Sequence, residues 1–176
     1  SYKNIAKMVL KFKLLSAFLL LFILTSCDNS KEKNEKGSDN PFIVGLNVPV
    51  EYAKVTPKDL EEYSKITIDQ VVAKMAVIKE QQSPTFENVF VALDDISNLI
   101  NTASNNCYML YWVSTDSTIR ANGLTGYQLL DSLSTGILSD KAIFTKMQNF
   151  KLSEAYKELS GNKKNLVDDM FLNFER

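Results

Sequence analysis

The sequence predicts an all-α fold built of antiparallel helical hairpins, on three observations. From Leu60 onward apolar residues recur at intervals of mostly three and four, the period of one helix face. Polar helix-start signals stand in front of these stretches. After Val55 no alternating apolar–polar run of useful length competes with them. Helices with one apolar stripe each bury it against a neighbour in the chain, which gives hairpins.

The first forty residues precede that pattern and divide in two. Residues 1–13 carry Lys3, Lys7, Lys11 and Lys13 and no acid, and residues 14–24 are almost wholly Leu, Phe, Ile and Ala. This is the basic-then-apolar order of a secretion signal. The apolar run falls short of the roughly 20 residues a spanning helix needs. It ends in Leu24-Thr25-Ser26-Cys27, which resembles the lipobox of bacterial lipoproteins, in which the cysteine thiol receives the lipid. The expectation is a signal peptide over 1–26 with Cys27 lipidated. That places the chain in the bacterial cell envelope, anchored to a membrane and facing the periplasm or the cell surface. Met8 is the expected start of translation. Residues 27–40 are polar and charged after Cys27 and hold no apolar side chain to bury, so they read as a tether. Charged residues soon after the cysteine also resemble the surface-export tethers of some bacterial lipoproteins.

Residues 41–176 form the helical segment. After an extended lead-in containing Pro49, Thr56-Pro57-Lys58-Asp59 supplies an N-cap, a proline at the first position and an acid near the positive end of the dipole. Leu60, Tyr63, Ile68, Val71, Met75 and Ile78 follow, and Gln81-Gln82-Ser83-Pro84 breaks the helix. Thr85-Phe86-Glu87-Asn88 starts a second helix reaching to about Val113. Its ladder runs Phe86, Val89, Phe90, Leu93, Ile96, Ile100, Ala103, Cys107, Leu110, Tyr111, with Asp94, Asp95 and Asn98 on the other face. After a polar break over 115–118 comes a third helix with Ile119, Tyr127, Leu130, Leu133 and Ile137. Gly123 and Gly126 are expected to weaken it. Ser139-Asp140 opens a fourth, short helix with Ile143, Phe144 and Met147, and Ser153 opens another with Tyr156 and Leu159. Gly161-Asn162 interrupts, and Leu166, Met170 and Phe174 carry the last. The helical pattern still runs at Phe174-Glu175-Arg176, which reads as a truncation.

Charge and missing residue types narrow the function. The formal net charge is −1, but the four early lysines hide an asymmetry: from Cys27 onward 16 basic residues face 21 acidic ones. An acidic chain without a basic patch argues against nucleic acid as a partner. Histidine is absent. This removes His-based acid–base chemistry, Ser–His and Cys–His pairs and nearly every zinc enzyme site. Asp94-Asp95, Asp168-Asp169 and Glu61-Glu62 are neighbours on helices, pointing about 100° apart, and read as solvated faces rather than facing catalytic carboxylates. Cys107 lies late in a helix on its apolar stripe and reads as a packing residue. Tyr108, Tyr111 and Trp112 read as helical core because the tyrosines border the stripe, with a binding surface as the alternative. No residue is assigned as catalytic or as a metal ligand, and Cys27 is the one modification site.

One run of residues is more specific. Pro84-Thr85-Phe86-Glu87-Asn88-Val89-Phe90-Val91-Ala92-Leu93-Asp94 is similar to the Pro-Thr-Phe-Glu-Asn-Thr…Ala-Leu-Glu stretch of the oligopeptidase A and peptidyl-dipeptidase branch of the thimet oligopeptidase family. Asn40-Pro41-Phe42 resembles that family's Asn-Pro-Phe or Asn-Pro-Leu opening, and Val55-Thr56-Pro57-Lys58-Asp59 its Ile-Lys-Pro-Glu-His. Residues 138–144 and 165–176 resemble later helices in the same order. The chain departs from the pattern at Leu60, near which the family has a histidine, around Ile66, where it has a proline, and in the glycines of the third helix. The resemblance implies the N-terminal, non-catalytic part of a larger helical zinc peptidase that trims short peptides. The zinc would be held by a His-Glu-x-x-His helix in a C-terminal catalytic part absent from this chain. It implies no zinc and no activity for residues 1–176 alone, and poor solubility where the missing part should dock. The alternatives are a stand-alone helical lipoprotein that binds a peptide or protein partner, and the product of a decayed peptidase gene.

Overall fold

The first long helix, α1 (Pro57–Glu80), begins where its sequence provides a complete cap. Thr56 Oγ1 accepts from the Asp59 N–H at 3.3 Å, the Asp59 carboxylate accepts from the Thr56 N–H at 2.8 Å, and Pro57 fills the first position. In the computed structural model, residues 39–44 and 48–175 are described; Cys27, the secretion signal and residues 28–38 of the polar stretch lie outside them. A 3-10 turn (Tyr52–Lys54) precedes α1. A π-helical turn (Phe86–Val91) follows it and runs into α2 (Ala92–Val113). Then come α3 (Ser117–Leu138), α4 (Lys141–Lys151), the single turn α5 (Glu154–Lys157) and α6 (Gly161–Glu175). Among the described residues there is no strand, and the fold is all-α.

α1 buries Leu60, Ser64, Thr67, Val71, Met75 and Ile78, a stripe at helical spacing. Tyr63 and Ile68, expected at its centre, lie half-buried against it, and the small polar residues Ser64 and Thr67 take the middle. Ser64 stays satisfied by donating to the Leu60 carbonyl at 2.8 Å. The second helix starts as the sequence predicts. Thr85 and Asn88 cap each other, with the Thr85 N–H donating to Asn88 Oδ1 at 2.7 Å and the Asn88 N–H to Thr85 Oγ1 at 3.1 Å. Its first turn is π-helical rather than α, and in this wider turn Phe86, Val89 and Phe90 are all buried. α2 then buries Leu93, Ile96, Ile100, Ala103, Cys107 and Leu110, as its ladder predicts.

Cross-helix pairs fix the directions. Tyr63 meets Asn106, Lys74 meets Asp95 and Gln81 meets Asn88, so α1 and α2 run antiparallel. Gly123 and Gly126 lie against Cys107, while Ile137 shares a cleft with Leu93 and Ile96, so α2 and α3 are antiparallel as well. Gly126 also meets Ser64, and Asp140 just after α3 pairs with Lys79 near the end of α1, so α1 and α3 are parallel.

The two glycines correct the expectation that they weaken α3. A Cβ on Gly123 would stand 2.7 Å from the Cys107 carbonyl oxygen and 3.0 Å from the Tyr111 nitrogen. On Gly126 it would stand 2.5 Å from Ser64 Oγ and 2.9 Å from Cys107 Sγ. Both glycines are buried: Gly123 lets the α3 backbone meet that of α2, and Gly126 leaves room for the Ser64 and Cys107 side chains where the three helices converge. The shorter helices close the other end: Asp140 caps α4 by accepting from Ala142 and Ile143, and Phe150 packs on Phe90 at 5.2 Å. α6 departs from its expected stripe. Val167 is its buried residue, while Leu166, Met170 and Phe174 are half-buried at the margin of the core.

Candidate functional site

Two surfaces stand out, and the first depends on how the chain enters α1. Asn40, the last residue of the polar stretch, is buried. Its Nδ2 donates to the Asp59 carbonyl at 2.9 Å and to Glu62 at 3.3 Å, and its Oδ1 accepts from the Phe42 N–H at 3.1 Å. Phe42 then lies flat on the Tyr63 ring, centroids 4.6 Å apart, with Tyr52 edge-on at 6.2 Å. The lead-in is thus bolted to α1 by a hydrogen-bonded turn and an aromatic stack.

Phe42, Ile43 and Val44 form one wall of a groove of about 520 Å³ between α1 and α2. Ile66 and Leu99 give it apolar surface, and Thr67, Gln70, Asn98 and Thr102 give it hydroxyls and amides. Lys74 and Asp95 sit together at 3.9 Å beside them, both largely exposed. Such a groove can hold an apolar side chain and hydrogen-bond a peptide backbone. It contains no nucleophile paired with a base.

The second surface is the end of α2. Tyr108, Tyr111 and Trp112 were expected to be core, and the structure corrects this. Trp112 is 64% exposed and Tyr108 43%, and Tyr111 is half-buried. Tyr108 touches Trp112 (6.0 Å), Tyr111 (6.3 Å) and Tyr127 of α3 (4.9 Å), so the rings form one outward-facing cluster. The cause is the close approach at Gly123. With α3 against the backbone of Cys107 and Tyr111, no ring fits between the helices, and the aromatics move to the edge. The signal was present in the sequence as two glycines three residues apart on α3, facing the last turns of α2.

Cys107 is fully buried, 3.6 Å from Ser64 Oγ, as its place on the stripe predicts. Burial pushes its thiol pKa up, with the Ser64 contact pulling weakly the other way. A thiol held neutral is no nucleophile. Of the adjacent acids, Asp168 departs from a simple solvated face. It accepts from the Tyr156 hydroxyl at 2.6 Å and from Lys151 Nζ at 3.0 Å, and these contacts, the hydroxyl foremost, hold its pKa below the ordinary carboxylate value. Lys151 Nζ also lies 4.4 Å from the centroid of Phe171, so this cluster ties α4 to α6 and is structural.

The chain has no histidine, and among the described residues no three His, Cys, Asp or Glu side chains gather where they could hold a metal. No protein-family model, curated protein or solved structure matches the chain.

Proposed function

We propose that residues 41–176 are the non-catalytic helical part of a lipid-anchored zinc peptidase of the peptidyl-dipeptidase kind, which degrades short peptides outside the cytoplasm. The supporting observation is where the resembling residues fall. Asn40-Pro41-Phe42 makes the bolt onto α1, Thr56-Pro57-Lys58-Asp59 makes its capping box, and Thr85 to Asn88 makes the capping box of the second helix. Three of the runs that carry the resemblance are therefore the joints of one helical hairpin, which is what a shared framework would retain. In this reading the groove between α1 and α2 is part of the wall along which a peptide passes, and zinc and its chemistry belong to a part of the protein beyond this chain.

The test is to sequence the gene and transcript past the codon for Arg176. An open frame reaching a His-Glu-x-x-His helix, whose product cleaves short peptides and loses that activity to a chelator, is the expected result. An immediate stop codon on a stable transcript would sink the peptidase reading. The exposed aromatic cluster favours a second reading in that event, a stand-alone lipoprotein that binds a partner through its helices. A frame that resumes in another register would identify a broken gene.

A further inference from the structure

The aromatic end of α2 lies where the chain enters the fold. Asn40 is held at the N-terminal end of α1 by the Asp59 carbonyl. Because α1 and α2 are antiparallel, the last turns of α2 come back to that same end. Asn106 donates to Tyr63 at 3.3 Å and accepts from the Tyr52 hydroxyl at 2.8 Å. Just beyond Asn106, Tyr108, Trp112 and Val113 are exposed, Val113 by 65%. Large exposed rings beside an aliphatic side chain are costly in water. Tyrosine and tryptophan, with an apolar body and a polar edge, fit the boundary between water and lipid.

The position of Cys27 says what lies opposite this surface. It stands thirteen residues before Asn40, and a chain of that length reaches no more than about 45 Å even when fully extended. A lipid on Cys27 therefore keeps the entry end of the body, and the rings beside it, within reach of the bilayer. No helix among the described residues is long and apolar enough to cross a membrane, so contact would be made at the surface.

We propose that the end of α2 presenting Tyr108, Trp112 and Val113 is a membrane-contact face, seated in the interfacial layer of the bilayer that holds the lipid of Cys27. The inference rests on the lipid-anchor part of the proposed function. The contact is aromatic and apolar rather than electrostatic, because from Cys27 onward acids outnumber bases, 21 to 16. Anionic headgroups are not required for it, and added salt should not release it. Its effect is to fix the orientation of the helical body on the membrane.

Trp112 is the one tryptophan of the chain and reports on its own environment. The full chain is produced in bacteria with its own leader and reconstituted into phosphatidylcholine vesicles. Mass spectrometry of the N-terminal peptide reads the modification of Cys27, and fluorescence reads Trp112. The expected result is a lipidated Cys27 with Trp112 emission shifted to shorter wavelength, quenched by lipids brominated high on the acyl chains and shielded from acrylamide. The Tyr108→Ser, Val113→Ser double variant should lose most of that bromine quenching while remaining lipidated and helical. A lipidated chain whose Trp112 is open to acrylamide and indifferent to brominated lipid overturns the membrane face and leaves the anchor standing. An unmodified Cys27 overturns both. Shielding of Trp112 that follows protein concentration, without bromine quenching, overturns the proposal in favour of a second copy of the chain on that surface.

Discussion

Gly123, Gly126 and Gly136 sit on one helix and make a controlled comparison. In each, a methyl group would improve the intrinsic helical preference by about 0.5–1 kcal/mol. At Gly136 no atom lies within 4 Å of the added carbon, so Gly136→Ala should stabilise the chain by about that amount. At Gly123 the carbon meets backbone, 2.7 Å from the Cys107 carbonyl, and the helices must separate. At Gly126 it meets Ser64 Oγ and Cys107 Sγ, side chains that are themselves buried. Both substitutions should destabilise by about 1–3 kcal/mol net, Gly123→Ala by more, as read by urea midpoints at unchanged slope. Asp140 is a second decisive residue, since one carboxylate both caps α4 and pairs with Lys79 at 2.5 Å. Asp140→Ala should cost about 1–2 kcal/mol in the same measurement, mostly through the lost cap.

At the scale of elements, the starts of helices were the most legible feature of the sequence. Thr56, Thr85, Asp140 and Ser153 each cap the helix they were expected to open. A cap is a local bond between residues two or three apart, so its chemistry is written in the chain. The break over 115–118 was legible too, and Asp116 within it does the capping. What lay beyond reach depends on partners distant in sequence. The π-helical first turn changes the hydrogen-bond register without changing which residues are apolar. Ser64 is buried because α3 comes close enough to need a small side chain opposite Gly126, a fact α1 alone does not contain. The aromatic cluster on α2 escaped for the same reason, because the glycines that expel it belong to another helix. The groove between α1 and α2 also escaped, since the residues that wall it come from the lead-in as well as from both helices. A test at this scale compares the two halves of the second capping box. Thr85→Ala should cost about 1 kcal/mol. Asn88→Ala should cost more, since Asn88 also donates to Gln81 at 3.1 Å and to the Ser83 carbonyl at 3.0 Å, holding the turn between the helices. Chemical denaturation of both variants ranks them.

For the whole molecule, the shifted groups define a pH window of stability. Asp140 has a lowered pKa because Lys79 and the backbone N–H groups of α4 outweigh its burial, and Asp116 and Asp168 are lowered by hydrogen bonds. A carboxylate lowered in the folded state contributes above its ordinary value near 4, and that contribution is lost as pH falls through the folded value. Cys107 and Tyr63 are raised, burial being the main cause in each. Groups that must stay neutral in the fold but ionise in the open chain cost nothing below their ordinary values and favour unfolding as pH rises past them. Thermal midpoints should therefore be flat through neutrality and fall on both sides. Cys107→Ala should shallow the alkaline fall while leaving the acid side unchanged. The burial of Cys107 where α1, α2 and α3 converge has one more consequence: the molecule carries a clock for its own breathing. A thiol reagent can modify that sulfur only in moments when the three helices part, so with reagent dilute enough that reclosing outruns labelling, the rate reports the equilibrium population of the open junction. If the junction opens only with global unfolding, labelling should slow in step with every stabilising substitution, Gly136→Ala included.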